Sequence, residues 1–140
     1  MSGEERIQQL VSQMKVYEAY LNDILARENT VVRLMEEGRL AIEAIRNISG
    51  QEPMQTLMPV GLGIYMHTSV SADNKLLINI GAGVAIEKRK DDVVTFVESR
   101  LKEMEVALRS MTAQKQELAA KMEQTRAEVN TILQKIQKSG

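Results

Sequence analysis

The side chains best equipped for chemistry here are His67, the acidic pairs Glu36-Glu37 and Asp91-Asp92, and two glycine triplets, Gly61-Leu62-Gly63 and Gly81-Ala82-Gly83. A histidine does acid–base or metal work when a carboxylate, thiol or second imidazole stands at ligand spacing. His67 is the only histidine, it sits in an alternating strand-like run, and no such partner stands beside it. The acidic pairs fall in segments of helical period, on faces that water solvates. Without cysteine there is no thiolate ligand, no cysteine nucleophile and no disulfide. No nucleophile–base–acid set can be assembled, so no catalytic residue, metal or cofactor is expected, and the chain reads as no enzyme. The glycine triplets are not phosphate loops either. Neither continues to G-x-G-x-x-G, neither carries G-K-S/T, and neither opens a helix.

What remains is a question of architecture. A chain of 140 residues has the size of one domain, but with no Trp, one Phe and three Tyr it lacks the fillers of a rounded core. Hydrophobic content of 44% with 26% charge fits long amphipathic helices better. Eighteen basic and 19 acidic residues interleave to a net charge of −1, which leaves no basic stripe for nucleic acid. Met1 to Leu10 holds no apolar run, so no signal peptide is expected, and nothing approaches the ~18 apolar residues of a membrane span. A cytoplasmic protein with no membrane contact is expected.

Residues 4–48 carry a heptad seam. One row is Ile7, Met14, Leu21, Glu28, Met35 and Ile42, and its companion is Leu10, Tyr17, Ile24, Val31, Gly38 and Ile45. Ten of these 12 positions are apolar, which predicts a coiled-coil helix. Ser2 with Glu5 suits a capping box, and Ser49-Gly50 suits a helix stop. Residues 91–138 repeat the pattern. Their rows are Val97, Met104, Met111, Leu118, Thr125, Ile132 and Leu101, Leu108, Lys115, Met122, Val129, Ile136. Two helices of similar length are most economically folded back on one another as an antiparallel hairpin. Pairing each helix with another chain is the alternative. In the hairpin Glu28 falls within a turn of Lys115, and the two charged seam residues either meet and set the register or reach separately to solvent.

Between the helices, over residues 54–88, the period drops to two. Met58, Val60, Leu62, Ile64 and Met66 alternate with Pro59, Gly61, Gly63, Tyr65 and His67, and Leu76, Ile78, Ile80, Ala82, Val84 and Ile86 form a second row of period two. Ser71-Ala72-Asp73-Asn74 is a turn cluster. The segment repeats, since Val60-Gly61-Leu62-Gly63-Ile64 aligns with Ile80-Gly81-Ala82-Gly83-Val84 at an offset of 20. Each copy reads strand, G-x-G, strand, which predicts two β-hairpins or sharply bent strands. Four short strands cannot seal their own edges. The apolar row Met58, Val60, Leu62, Ile64, Met66, Leu76, Ile78, Ile80, Val84 and Ile86 is therefore expected to meet the same segment of other subunits and close a shared, oligomeric β-barrel.

Paired heptad helices around Leu57-Met58-Pro59-Val60-Gly61-Leu62-Gly63 and Ile80-Gly81-Ala82-Gly83-Val84-Ala85-Ile86-Glu87-Lys88 resemble the α class of the prefoldin family, closest to archaeal examples. The likeness covers essentially the whole chain as a single subunit, 1–140. The double hairpin separates that class from β-class subunits, which carry one. The resemblance implies a mainly α fold with a small β part, and a hexamer of two alpha and four prefoldin beta subunits whose coiled-coil arms project from a β-barrel platform. It implies a chaperone that captures unfolded proteins without ATP, through apolar residues near the arm tips, and hands them to a group II chaperonin.

The residues agree at the tips. Ile7, Leu10, Val11 and Met14 lie near one chain end, and Val129, Ile132, Leu133 and Ile136 near the other. Helix neighbours point about 100° apart, so Leu10–Val11 and Ile132–Leu133 cannot both enter one seam. The seam-row members are expected to be mainly structural, with Val11 and Leu133 the exposed ones. Met104, Met111 and Met122 are read as core filler. A structural adaptor that docks one specific partner predicts the same fold and remains the alternative.

Overall fold

The computed structural model describes residues 2–50 and 52–139. Six elements follow in order: α1 (Gly3–Asn47), β1 (Met54–Gly61), β2 (Ile64–Val70), β3 (Leu76–Gly81), β4 (Val84–Lys88) and α2 (Lys90–Ser139). Two long helices thus flank two β-hairpins, as the change of apolar period predicts. The chain forms two compact units, Met1–Arg33 with Glu105–Gly140, and Leu34–Met104.

In the first unit the two helices run antiparallel, because rising numbers in α1 meet falling numbers in α2. Arg6 bonds Glu128 at 2.8 Å, and Lys115 bonds Glu28 at 3.0 Å. The heptad rows are the residues withdrawn from water. Leu10 and Leu118 are buried, while Met14, Tyr17, Leu21, Ile24, Met111, Met122 and Val129 are half-buried. At the helix start the Glu5 amide donates to the Ser2 hydroxyl at 3.2 Å, satisfying one of the orphan donors of the first turn. Thr125 is the one polar residue in the seam that is fully buried among those described. Its hydroxyl donates to the Lys121 carbonyl at 2.9 Å, so the helix itself supplies the partner that burial demands.

In the second unit Met35, Ile42 and Val93 form the buried apolar set. Gly38 explains how the helices meet here. A Cβ at that position would stand 3.0 Å from Leu101 Cδ2 and 3.5 Å from Val97 Cγ1, so the missing side chain is the space those two occupy. A glycine inside a helix costs about 1 kcal/mol against alanine, which this close approach offsets. The end of α1 is closed by Gly50 at φ 101°. The Lys90 ammonium also donates to the Ile48 carbonyl at 2.6 Å, a cation placed at the negative end of the helix. Arg46 bonds Glu98 at 2.9 Å on the surface.

The hairpins form two separate two-stranded antiparallel sheets, β1–β2 and β3–β4. Met58 pairs with Met66 in the first, and Ile78 pairs with Ile86 in the second. The internal repeat is therefore structural, hairpin upon hairpin. Each turn has two residues at positive φ, Leu62 and Gly63 or Ala82 and Gly83, preceded by a register shift at Gly61 or Gly81. Such turns match the twist of the flanking strands, and glycine adopts the required backbone without strain. This corrects the expectation for Leu62. It does not continue the strand row but sits at the turn tip, fully exposed, because the chain reverses where the alternation seemed unbroken.

Candidate interaction surfaces

One open hollow of about 410 Å³ gathers Asp73, Lys75, Arg89, Lys90 and Asp91, but no histidine or nucleophile lines it, so the functional surfaces are sought in exposed apolar side chains. Two sets stand out, one in each unit, apart from apolar residues exposed along the helices such as Val16, Leu40 and Val106.

The first is on the hairpins. In an antiparallel pair opposite residues share a face, so Met58, Met66 and Ile64 lie on one side of β1–β2, and Ile78, Ile86 and Val84 on one side of β3–β4. Met58, Val60, Ile64, Met66, Ile80 and Val84 are all exposed in the single chain, while Leu76, Ile78 and Ile86 are half-buried. Two-stranded sheets with bare apolar faces are unstable alone, which makes this surface one that needs covering. The opposite face adds Leu57 and Tyr65, both exposed, which the alternating row did not single out. His67 lies on that opposite face, paired with Leu57 and exposed.

The second set lies where residues near both chain ends meet in the first unit. Leu10 is only 1% exposed, its side chain spent on the seam as expected of a seam-row residue, so that contact with a client is left to its neighbours. Ile7, Met14, Val129 and Ile132 are half-buried, whereas Val11, Leu133 and Ile136 are exposed. Ile136 belongs to a seam row yet stays open for a simple reason. The position facing it is Gly3, whose absent Cβ would lie 3.3 Å from Ile136 Cδ1. The structure thus brings Leu10, Val11, Met14 and Val129 around one shallow recess of about 300 Å³. Ile132 and Ile136 pack instead beside Gly3. Thr125 of the seam row also lines the recess, with Lys15, Glu18 and Arg126, to which no apolar pattern pointed.

Charge is spread thinly over both sets. Glu36-Glu37 and Asp91-Asp92 are exposed on helix surfaces, the latter in the first turn of α2. Among the described residues no three potential ligands gather to hold a metal ion, and no helix is long and apolar enough to cross a membrane.

Comparison with known proteins bears on the chain as a whole. Residues 4–135 match the family model described as Prefoldin subunit. The chain is 42% identical over 138 residues to prefoldin subunit alpha of Nitrosopumilus maritimus, spanning 99% of this chain and 95% of that one. It is 24% identical over 136 residues to prefoldin subunit alpha of Archaeoglobus fulgidus, spanning 96% of this chain and 99% of that one. Among solved structures it is similar to the prefoldin beta subunit from Thermococcus strain KS-1, with a TM-score of 0.63 at 17% identity over 89% of this chain and 90% of that one. It is also similar to the filamentous PFD from Methanocaldococcus jannaschii, with a TM-score of 0.53 at 18% identity over 89% and 98% of the two chains. At those identities the structural likenesses speak for the fold, and the sequence matches for kinship. The two long helices and the β-hairpins between them are therefore those of a chaperone subunit, and the chain belongs to the prefoldin family.

Proposed function

We propose that the whole chain, 1–140, works as the α-type subunit of a cytoplasmic hexamer with four prefoldin beta subunits. The apolar hairpin faces close a β-barrel with those of its partners. The ends of the helices capture non-native polypeptides without ATP and pass them to a group II chaperonin. The chain performs no covalent chemistry, takes no cofactor, and engages neither nucleic acid nor membrane. The observation that carries this reading is the exposure of Val11, Leu133 and Ile136 around the chain ends, beside a recess that leaves seam residues open from one side. Adaptable apolar surface of this kind suits many sequences rather than one.

The experiment dilutes two unrelated, chemically denatured proteins into the assembled complex and follows light scattering without ATP. Suppression of both, lost when residues 1–12 and 128–140 are removed from a complex that still assembles, is the expected result. Failure to suppress either by an intact hexamer would favour an adaptor with one specific partner.

A further inference from the structure

The two hairpins are copies of one another in register but not in chemistry. Met58 pairs with Met66 across β1–β2, and at the repeat offset Ile78 pairs with Ile86 across β3–β4. The same cross-strand position therefore carries two thioethers in one hairpin and two aliphatic chains in the other. Met54 precedes Met58 on β1 by an even step and so shares its face.

Exposure sets these sulfurs apart from the rest. In the single chain Met54 is 37% exposed, Met58 45% and Met66 51%. The other methionines among the described residues lie in the helices, where Met35 is buried and Met14, Met104, Met111 and Met122 are half-buried in the heptad rows. Neither strand of the first hairpin contains Lys, Arg, Asp or Glu. An oxygen added to either sulfur would therefore find no ammonium or guanidinium donor on its own hairpin. Opposite side chains of an antiparallel pair stand about 5 Å apart at Cβ, so two such oxygens would fall on one spot of the face.

We propose that Met58 and Met66 form an oxidation site through which hydrogen peroxide takes the unassembled chain out of assembly. A sulfur lone pair attacks one peroxide oxygen. The S–O bond forms as the O–O bond breaks, and a proton passes to the departing hydroxide to give water. Each thioether is oxidised by two electrons to a sulfoxide, and one peroxide is reduced. The product is a polar acceptor on a face that has to be buried. One buried acceptor without a donor weakens association about tenfold, and two about a hundredfold. Ile78 and Ile86 have no sulfur to react, so the change is confined to one hairpin. Burial of the same face shields the sulfurs, so a subunit already in its complex is spared. This rests on the reading that the hairpin face is the assembly surface, and adds a chemical condition under which that surface works.

The test treats the free, full-length chain with hydrogen peroxide, removes the excess with catalase, and titrates untreated β-type partner into the fluorescently labelled chain. Peptide mass spectrometry locates the added oxygens, and circular dichroism checks that the helices persist. Oxidation of Met58 and Met66 ahead of Met104 and Met111 is expected, with affinity for the partner about a hundredfold weaker. Methionine sulfoxide reductases, one for each sulfoxide epimer, should restore that affinity. A complex assembled before treatment should keep both sulfurs unmodified. Met58→Ile with Met66→Ile gives the first hairpin the residues of the second. Whatever affinity this variant has untreated, peroxide should leave it unchanged, and Met58→Leu with Met66→Leu serves in its place if it does not fold. Undiminished assembly by a chain carrying both sulfoxides overturns the proposal. So does an equal loss in the substituted chain, since the sensitive sulfur then lies elsewhere. If the untreated chain and its partner do not associate, the assembly reading fails first.

Discussion

Glu28 is largely withdrawn from water, at 13% side-chain exposure, while its partner Lys115 keeps 37%. That asymmetry decides what each substitution does. Without Glu28, the lysine can swing its ammonium to solvent along its apolar stem. Without Lys115, a carboxylate is left in the seam with no cation, the costlier outcome. Lys115→Ala should therefore destabilise more than Glu28→Ala, and a double-mutant cycle in urea should give a coupling of about 1 kcal/mol. No coupling would show that the register rests on the apolar rows alone. Leu10 and Val11 make a second contrast, since adjacent residues have opposite duties. Leu10→Ala should cost about 2–4 kcal/mol, from lost burial and the cavity left behind. Val11→Ala should change stability by less than about 0.5 kcal/mol, and its effect should appear in client binding.

Each hairpin turn holds a residue against its preference, for Leu62 and Ala82 both lie at φ 53°. A side chain in the left-handed region costs of the order of 1 kcal/mol, and the Asn-Gly dipeptide is the usual choice for such a turn. Leu62→Asn should therefore raise hydrogen-exchange protection of the β1–β2 amides. Gly61→Val, placing a β-branched residue at φ 115°, should abolish it. In the helices, Gly38→Leu should cost about 1–3 kcal/mol in thermal unfolding, since Leu101 already fills that site. The helices and hairpins were legible in the sequence because period and glycine position are local signals. The turn at Leu62 was partly hidden, because the even spacing of apolar residues continues across the reversal. Lys90 reaching the Ile48 carbonyl, and the openness of Ile136 opposite Gly3, depend on which residues face one another, and no periodicity encodes that.

At the scale of the molecule, two apolar surfaces carry the functional reading, the hairpins in the middle of the chain and the helix ends near its termini, while residues such as Val16, Leu40 and Val106 are exposed along the helices between them. Exposed ion pairs such as Arg46–Glu98 contribute little in water, and the net charge is only −1. Assembly through the hairpins should accordingly change little between low and high salt, whereas Met66→Asp with Ile86→Asp should prevent it, as size-exclusion chromatography with the β-type partner would show. The central claim is that assembly and capture use separate surfaces. The most direct measurement is light scattering with the double variant Val11→Asp, Leu133→Asp, first shown by sedimentation to form the same hexamer as the unsubstituted chain. A hexamer of unchanged size that suppresses aggregation of denatured proteins several-fold less well is the predicted result. Undiminished suppression by that hexamer would contradict the account, and would place client capture somewhere other than the exposed apolar ends.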